Sequence, residues 1–482
     1  MTATANRDDV RPPQAEAERP TPVRWSPLEL LPPVLMLVLG LVLLRPGHGL
    51  WFDELFTAEV GRLPLGEILS AVVSGRGTTT YLATVPPSYN APYYVVAHAW
   101  MSLPGLAGDT SLRALSLLAT AGGLALVTRA TTRLAGRGTG VLAGLLLAAS
   151  PLVVEQSVEA RSYGLAVLAT GGALLGLVRW LQEPPRGLVL FALAGAAMGL
   201  MHWYAVTALA AFVVAAVVLR RRRSLPVALA GALGVLPAAG MVALNVLNGT
   251  GGRNAEHLQS TGGALPVMAL EAWAGGRTPL LYLTVALAVV GAVRARGIRG
   301  VGVAWAVVPL LLLVLAELVR PVYLPRYLLV GLLGLGVLAA AGTFALPRLA
   351  RVPVAVLLVG CALLACAPMA ERGPRERSDE LVATLAGLHR AGEPIVAADQ
   401  RSAMGLDHYV RTRAPQLRAD VVLPPDDAPA DADRVWLVRR LIDRVPEPTD
   451  DDEIMREAGL RMTDVHNFSA SKTHLVLQLW ER

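Results

Sequence analysis

The sequence predicts an all-α polytopic membrane protein with about eleven transmembrane helices and a small α/β domain at its C-terminal end. Three observations carry that prediction. Of 482 residues, 54% are hydrophobic and 17% charged, against roughly 25% charged in soluble chains, and mean hydropathy is +0.50. The apolar residues gather into runs near the length that crosses a bilayer as a helix. After residue 369 the composition changes abruptly and charges become frequent. An ordinary cytosolic enzyme, a disordered protein and a fibrous repeat are all excluded.

Residues 1–27 are polar and rich in Pro, Arg and Glu. Such a segment cannot bury enough apolar surface to fold alone, so a disordered cytoplasmic tail is expected. No signal-peptide cleavage pattern follows, and the first span is read as uncleaved. Spans are expected near 28–44, 112–128, 139–154, 160–178, 187–201, 203–219, 226–247, 279–294, 301–319, 326–345 and 352–369. Several are short for a straight span, so tilt or displaced ends are expected.

Net charge is +6, but the basic residues sit in clusters between apolar runs, the pattern that orients a membrane protein. Nucleic acid is therefore not the expected partner; the lipid bilayer is. The clusters are Arg129, Arg133 and Arg137; Arg179 and Arg186; Arg220, Arg221, Arg222 and Arg223; Arg294, Arg296 and Arg299; and Arg348 and Arg351. With eleven spans all of them face the cytoplasm with the N-terminus. Counting the apolar segment 92–103 as a further span would send all five clusters outside. That segment is read instead as interfacial or re-entrant. The loop 45–111, the loop 248–278 and the tail 370–482 then lie outside the cytoplasm. In the tail, IVAAD, RVWLVRR and KTHLVLQLWE read as strands and ELVATLAGLHRAG as a helix. Cys361 and Cys366 lie inside an apolar run and read as small hydrophobes.

Candidate functional residues gather on the outer side. Trp51-Phe52-Asp53-Glu54 follows the first span. Asp53 there can act as a general base toward an acceptor hydroxyl; alternatively Asp53 or Glu54 caps the helix LFTAEVGRL. The two readings are compatible. In Ser88-Tyr89-Asn90-Ala91-Pro92-Tyr93-Tyr94, Pro92 can open a helix and Tyr93 and Tyr94 can anchor it at the interface. Glu155 and Glu159 share a face if their stretch is helical. Arg161, followed by Tyr163, suits a phosphate, or it neutralises those acids internally. His202-Trp203-Tyr204 is an interfacial anchor or part of the site. Arg320, Tyr323, Arg326 and Tyr327 at a helix entrance can hold a lipid phosphate or snorkel to the interface. Glu256, Glu271 and Glu317 are also expected on this side. No His/Asp cluster has metal-ligand spacing, so no metal is expected.

The order of these motifs resembles the GT-C superfamily of polytopic glycosyltransferases. The matching pieces are Asp53-Glu54, Pro92-Tyr93-Tyr94, GDTSLR at 108–113, EARSYGL at 159–165, HWY at 202–204 and PRYLL at 325–329. Within that superfamily the chain resembles bacterial relatives of protein O-mannosyltransferases and of the lipid A aminoarabinose transferase, over roughly residues 28–345. The resemblance implies a polyprenyl-phosphate-linked sugar donor, mannose first among candidates, and inverting transfer to a hydroxyl acceptor outside the plasma membrane. It implies that Asp53 is the base, that Glu54 orients the acceptor, and that Arg161 and Arg326 stabilise the departing phosphate. At Ala91 the chain departs from the usual second proline. Two other classes compete: a transporter or flippase for a lipid-linked sugar, and a non-catalytic assembly scaffold. A scaffold would tolerate loss of Asp53.

Overall fold

The computed structural model describes residues 25–44, 47–78, 91–249, 258–424, 432–441 and 450–482. Most of the expected N-terminal tail lies outside those residues, as do Ser88, Tyr89, Asn90 and Glu256. The chain begins with α1 (Leu31–Leu43), entered through a 3-10 turn at Pro27–Leu30. Three short helices follow: α2 (Phe52–Gly61), α3 (Leu65–Ser74) and α4 (Ala91–Met101). The bundle continues with α5 (Asp109–Ala135), α6 (Arg137–Ala148), α7 (Pro151–Ser157), α8 (Tyr163–Gln182), α9 (Leu188–Met201), α10 (Val206–Arg220) and α11 (Leu225–Leu247). After α12 (Leu265–Trp273) come α13 (Thr278–Arg294), α14 (Arg299–Glu317), α15 (Leu329–Ala345) and α16 (Arg348–Cys366).

Every expected span coincides with helix, but not every helix is a straight span. Among the described residues six helical runs are long and apolar enough to cross a bilayer. One is the 45-residue run Trp203–Leu247, about twice the length a bilayer needs. It breaks at Arg221, whose φ is +46°, into α10 and α11. Two further helix pairs are apolar enough together but bent, by 64° (α6 with α7) and by 104° (α12 with α13), as in a broken span or a re-entrant loop. The segment 139–154 is thus a broken helix rather than one rod, because Pro151 restarts the helix after Ser150. Pro92 lies in the first turn of α4, as its fixed φ favours.

Arginines gather at one end of this bundle. Arg129 at the far end of α5 pairs with Glu29 ahead of α1 at 3.0 Å. Arg133 donates to Gln182 at the end of α8 (2.9 Å), and Arg220 ending α10 donates to the Leu181 carbonyl. Small residues let the helices close up, as in membrane bundles. A methyl on Gly164 would strike the Ser116 carbonyl of α5, and one on Gly342 the Leu287 carbonyl of α13.

The C-terminal part is α/β, as expected. It comprises α17 (Ser378–Leu388), β1 (Ile395–Ala397), α18 (Gln400–Arg413), β2 (Val421–Val422), β3 (Arg434–Leu441), α19 (Asp450–Glu457), β4 (Arg461–Ser469) and β5 (His474–Glu481). The strands run in the order β2-β1-β3-β5-β4. β1 is parallel to β2 and β3, while β5 is antiparallel to β3 and β4. Both faces of β3 are covered, so it reads as a continuous apolar run. Val435 and Leu437 pack with Met455 and Trp480. Trp436 and Val438 join a core shared with Leu55 and Phe56 of α2 and Tyr93 and Tyr94 of α4.

Ion pairs complete that seam. His408 on α18 places Nδ1 2.9 Å from Glu59 of α2 and Nε2 3.1 Å from Asp109 of α5. Both ring nitrogens face carboxylates, so only the imidazolium can donate to both. Arg411 adds a second cation on Glu59, which also pairs with Arg62 at 2.7 Å. Burial opposes ionisation of Glu59, yet the hydrogen bonds from His408 and Arg411 bring its pKa down to about 2. Burial likewise opposes the His408 charge, and the bonds to Asp109 and Glu59 more than offset it and raise its pKa.

The sign of the pH dependence follows. A raised histidine pKa contributes stability fully present below its unfolded value of about 6.5, lost as pH rises through the folded value. Thermal unfolding of the full chain in lipid nanodiscs should show a midpoint that falls as pH rises above neutrality. His408→Leu should remove that alkaline slope and cost about 1–3 kcal/mol at pH 6. An unchanged slope in His408→Leu would mean that His408 does not carry the charge.

Candidate active site

Helix α2 owes its position to Glu54, which occupies the third helical position and is 1% exposed. Its carboxylate accepts from the Trp51 N–H at 3.3 Å, closing the first turn as a cap does. It also accepts from the Ala160 N–H at 2.8 Å and from the Arg113 fork at 2.9 and 2.5 Å. Arg113 passes its remaining donors to the carbonyls of His48 (2.8 Å) and Gly49 (2.9 Å). The next free amide of the turn, Phe52 N–H, is taken by Glu376 of the C-terminal part at 3.1 Å. Of the two acids expected to cap this helix, Glu54 does so.

Asp53 is thereby left to other work. Its side chain is 19% exposed and meets Arg326 Nη2 at 3.4 Å, a long contact for an ion pair. Its carbonyl accepts from Arg161 Nη1 at 3.2 Å. Arg326 rises from the turn before α15, and its Nε is buried with no hydrogen-bond partner. Around this pair stand four rings. His202 lies 5.1 Å from Tyr163, 5.8 Å from Tyr204 and 5.3 Å from Tyr327 between centroids. Tyr204 and Tyr327 stack at 4.6 Å with 16° between planes. Burial first, then the guanidiniums of Arg326 and Arg161, hold the His202 pKa well below the ordinary histidine range. A neutral imidazole therefore faces the arginines.

The sequence-predicted residues divide accordingly. Asp53, Arg161, Tyr163, His202, Tyr204 and Arg326 come together. Glu159 sits behind α2. The helix α7 ends at Ser157, so Glu155 and Glu159 do not share a helical face. Both acids instead meet Arg375, at 2.7 and 2.6 Å. Burial raises the Glu159 pKa, and Arg375 opposes that rise. Tyr93 is fully buried in the core beneath α2, packed against Tyr94 at 6.0 Å. Arg320 is exposed on the connection after α14. Neither is hydrogen-bonded to the Asp53–Arg326 group.

Three residues support the site without having been assigned to it from sequence: Arg113, Arg375 and Glu376. Arg113 closes the GDTSLR motif, so it had a local signal. Tyr327, expected at the helix entrance, stacks on Tyr204. Arg375 and Glu376 lie in a run of alternating charges at 371–377 that looks like any solvated linker.

No family model matches the chain, and no curated protein matches its sequence. Its structure is similar to two crystal structures of ArnT from Cupriavidus metallidurans. For the apo state the TM-score is 0.58 at 16% identity, covering 93% of this chain and 97% of ArnT. For the form bound to undecaprenyl phosphate it is 0.58 at 14% identity, with the same coverage. At such identity the likeness is one of fold. The chain shares the overall fold of ArnT: a mostly helical bundle followed by a small α/β region.

Proposed function

We propose that this chain is an inverting glycosyltransferase that moves a sugar from a polyprenyl-phosphate donor to a hydroxyl acceptor. One observation carries the reading. A half-buried carboxylate, Asp53, makes only a long contact with a guanidinium whose buried Nε has no partner. A buried unsatisfied donor is costly, and an anion placed between Arg326 and Arg161 would satisfy it. The GT-C-like fold, with one of its structural neighbours bound to undecaprenyl phosphate, supports a lipid phosphate as that anion.

The chemistry follows from the geometry. Asp53 takes the proton of the acceptor hydroxyl as its oxygen attacks the anomeric carbon. The bond from that carbon to the phosphate oxygen breaks, and its electron pair leaves with the polyprenyl phosphate. Arg326 and Arg161 meet the charge that grows there, where preorganised donors act most strongly. The stacked Tyr204 and Tyr327, with Tyr163 and the neutral His202, form a wall suited to a sugar ring. Glu54 is held by four donors, which reassigns it from orienting an acceptor to positioning α2.

Mannose is the sugar to test first, with a protein, glycolipid or polysaccharide hydroxyl as acceptor. The arginine-rich end of the bundle lies opposite this site, so the positive-inside rule puts the reaction outside the plasma membrane. We divide the chain into a tail at 1–27, a transferase bundle at 28–369 and an extracytoplasmic α/β domain at 370–482.

The test supplies radiolabelled polyprenyl-phosphate mannose, then other lipid-linked sugars, to membranes holding equal amounts of folded protein. Asp53→Asn should lower turnover about 10²–10⁴-fold and Arg326→Ala about 10²–10³-fold. Equal turnover by wild type and Asp53→Asn would sink the base assignment, and no consumption of any such donor would sink the reading itself.

Stability should separate the two neighbouring acids. Arg113→Met strands the Glu54 carboxylate in the core and should cost about 3–5 kcal/mol. Asp53→Asn should stay within about 0.5 kcal/mol of wild type. Thermal unfolding in nanodiscs measures both, and the reverse order would exchange the two roles.

A further inference from the structure

The turn that joins α10 to α11 lies at the arginine-rich end of the bundle, opposite Asp53. Four arginines in succession build it, Arg220 to Arg223. Arg221 stands at φ +46° and ψ −118°. Those angles belong to the first central position of a type II′ turn, which glycine usually takes. A side chain in that conformation strains the backbone, yet the chain places an arginine there. It is the only non-glycine residue with positive φ among the described residues.

Only the first of the four is tied to the protein: Arg220 donates to the Leu181 carbonyl near the end of α8. The side chains of Arg221, Arg222 and Arg223 are exposed and meet no carboxylate among the described residues. At this end of the bundle Glu29 is bound to Arg129, and Glu183 to Arg133 and Arg186. Residues 1–24 carry four acids and four arginines, so they bring no net countercharge. On both sides of the turn the surface is apolar. Val218 of α10 and Leu225 and Leu229 of α11 are 65%, 61% and 56% exposed, as residues that face acyl chains are. Exposed guanidiniums therefore stand at the end of a lipid-facing apolar strip. A guanidinium is weakly hydrated and holds phosphate oxygens in pairs. Apolar tails below a headgroup of net negative charge match both parts of this surface. A zwitterionic headgroup offers no net charge to the arginines.

We propose that the α10–α11 turn is a binding site for an anionic phospholipid of the adjoining leaflet. Its tails run along Val218, Leu225 and Leu229, and its phosphate lies among Arg221, Arg222 and Arg223. The conformation of Arg221 fits this role. Glycine would relax the backbone but remove one of three cations from the headgroup. The site lies at the opposite end of the bundle from Asp53, and it does not rest on the glycosyltransferase reading above.

The test titrates full-length protein in detergent with phosphatidylglycerol or phosphatidylcholine and follows the first bound lipid by native mass spectrometry. Phosphatidylglycerol should bind at the lower concentration. Arg222→Gln and Arg223→Gln together should weaken it about fivefold per charge removed and leave phosphatidylcholine unchanged, in protein that thermal unfolding shows to be folded. Arg296→Gln removes a charge from another connection at the same end and should leave phosphatidylglycerol binding unchanged. Arg221→Gly should act in two directions. It should weaken phosphatidylglycerol binding while raising the unfolding midpoint in phosphatidylcholine nanodiscs, where the relaxed backbone is the only gain. A turn with a purely structural role would gain stability and lose no lipid. Equal binding of the two lipids, unchanged phosphatidylglycerol binding in the double variant, or an equal loss in Arg296→Gln would each overturn the site. Binding of phosphatidylglycerol only to protein lacking residues 1–24 would also overturn it, by making that segment the occupant.

Discussion

The carboxylate of Glu54 is the point on which the site depends. It accepts from the cap of its own helix, from the α7–α8 connection at Ala160 and from Arg113 of α5. One buried anion therefore ties together three parts of the chain that are far apart in sequence. A buried carboxylate is tolerable only when its donors are complete, so these parts cannot drift independently. Arg113 spreads the constraint further by binding the carbonyls of His48 and Gly49. The loop that delivers Asp53 is thus fixed on both sides of Trp51.

The C-terminal part grips the same helix from outside. Glu376 takes the Phe52 amide, and Tyr409 accepts from the Leu50 N–H at 2.6 Å while donating to Asp109 at 3.0 Å. His408 and Arg411 hold Glu59 one turn further along. With its first turn held from the bundle and from the α/β part, α2 presents Asp53 toward Arg326. Adjacent residues therefore differ: Glu54 accepts from four donors, whereas the Asp53 carboxylate makes one long contact with Arg326.

The helical bundle, the arginine-rich end and the strands of the tail were legible in the sequence. Apolar periodicity and charge clustering are local properties, and burial in lipid or in a sheet imposes them residue by residue. So were Asp53 and Arg326, because charged groups at membrane helix ends are rare enough to stand out. Only the tertiary structure decided which charges meet. Glu159 finds Arg375, Glu54 finds Arg113, and Glu59 finds His408. Any of the arginines could satisfy a carboxylate equally well by residue type, and the pairing depends on where distant helix ends converge. The same convergence left Arg326 Nε, Trp51 Nε1 and Glu159 Oε2 without partners, and an unfilled position of that kind exists only once the chain has folded.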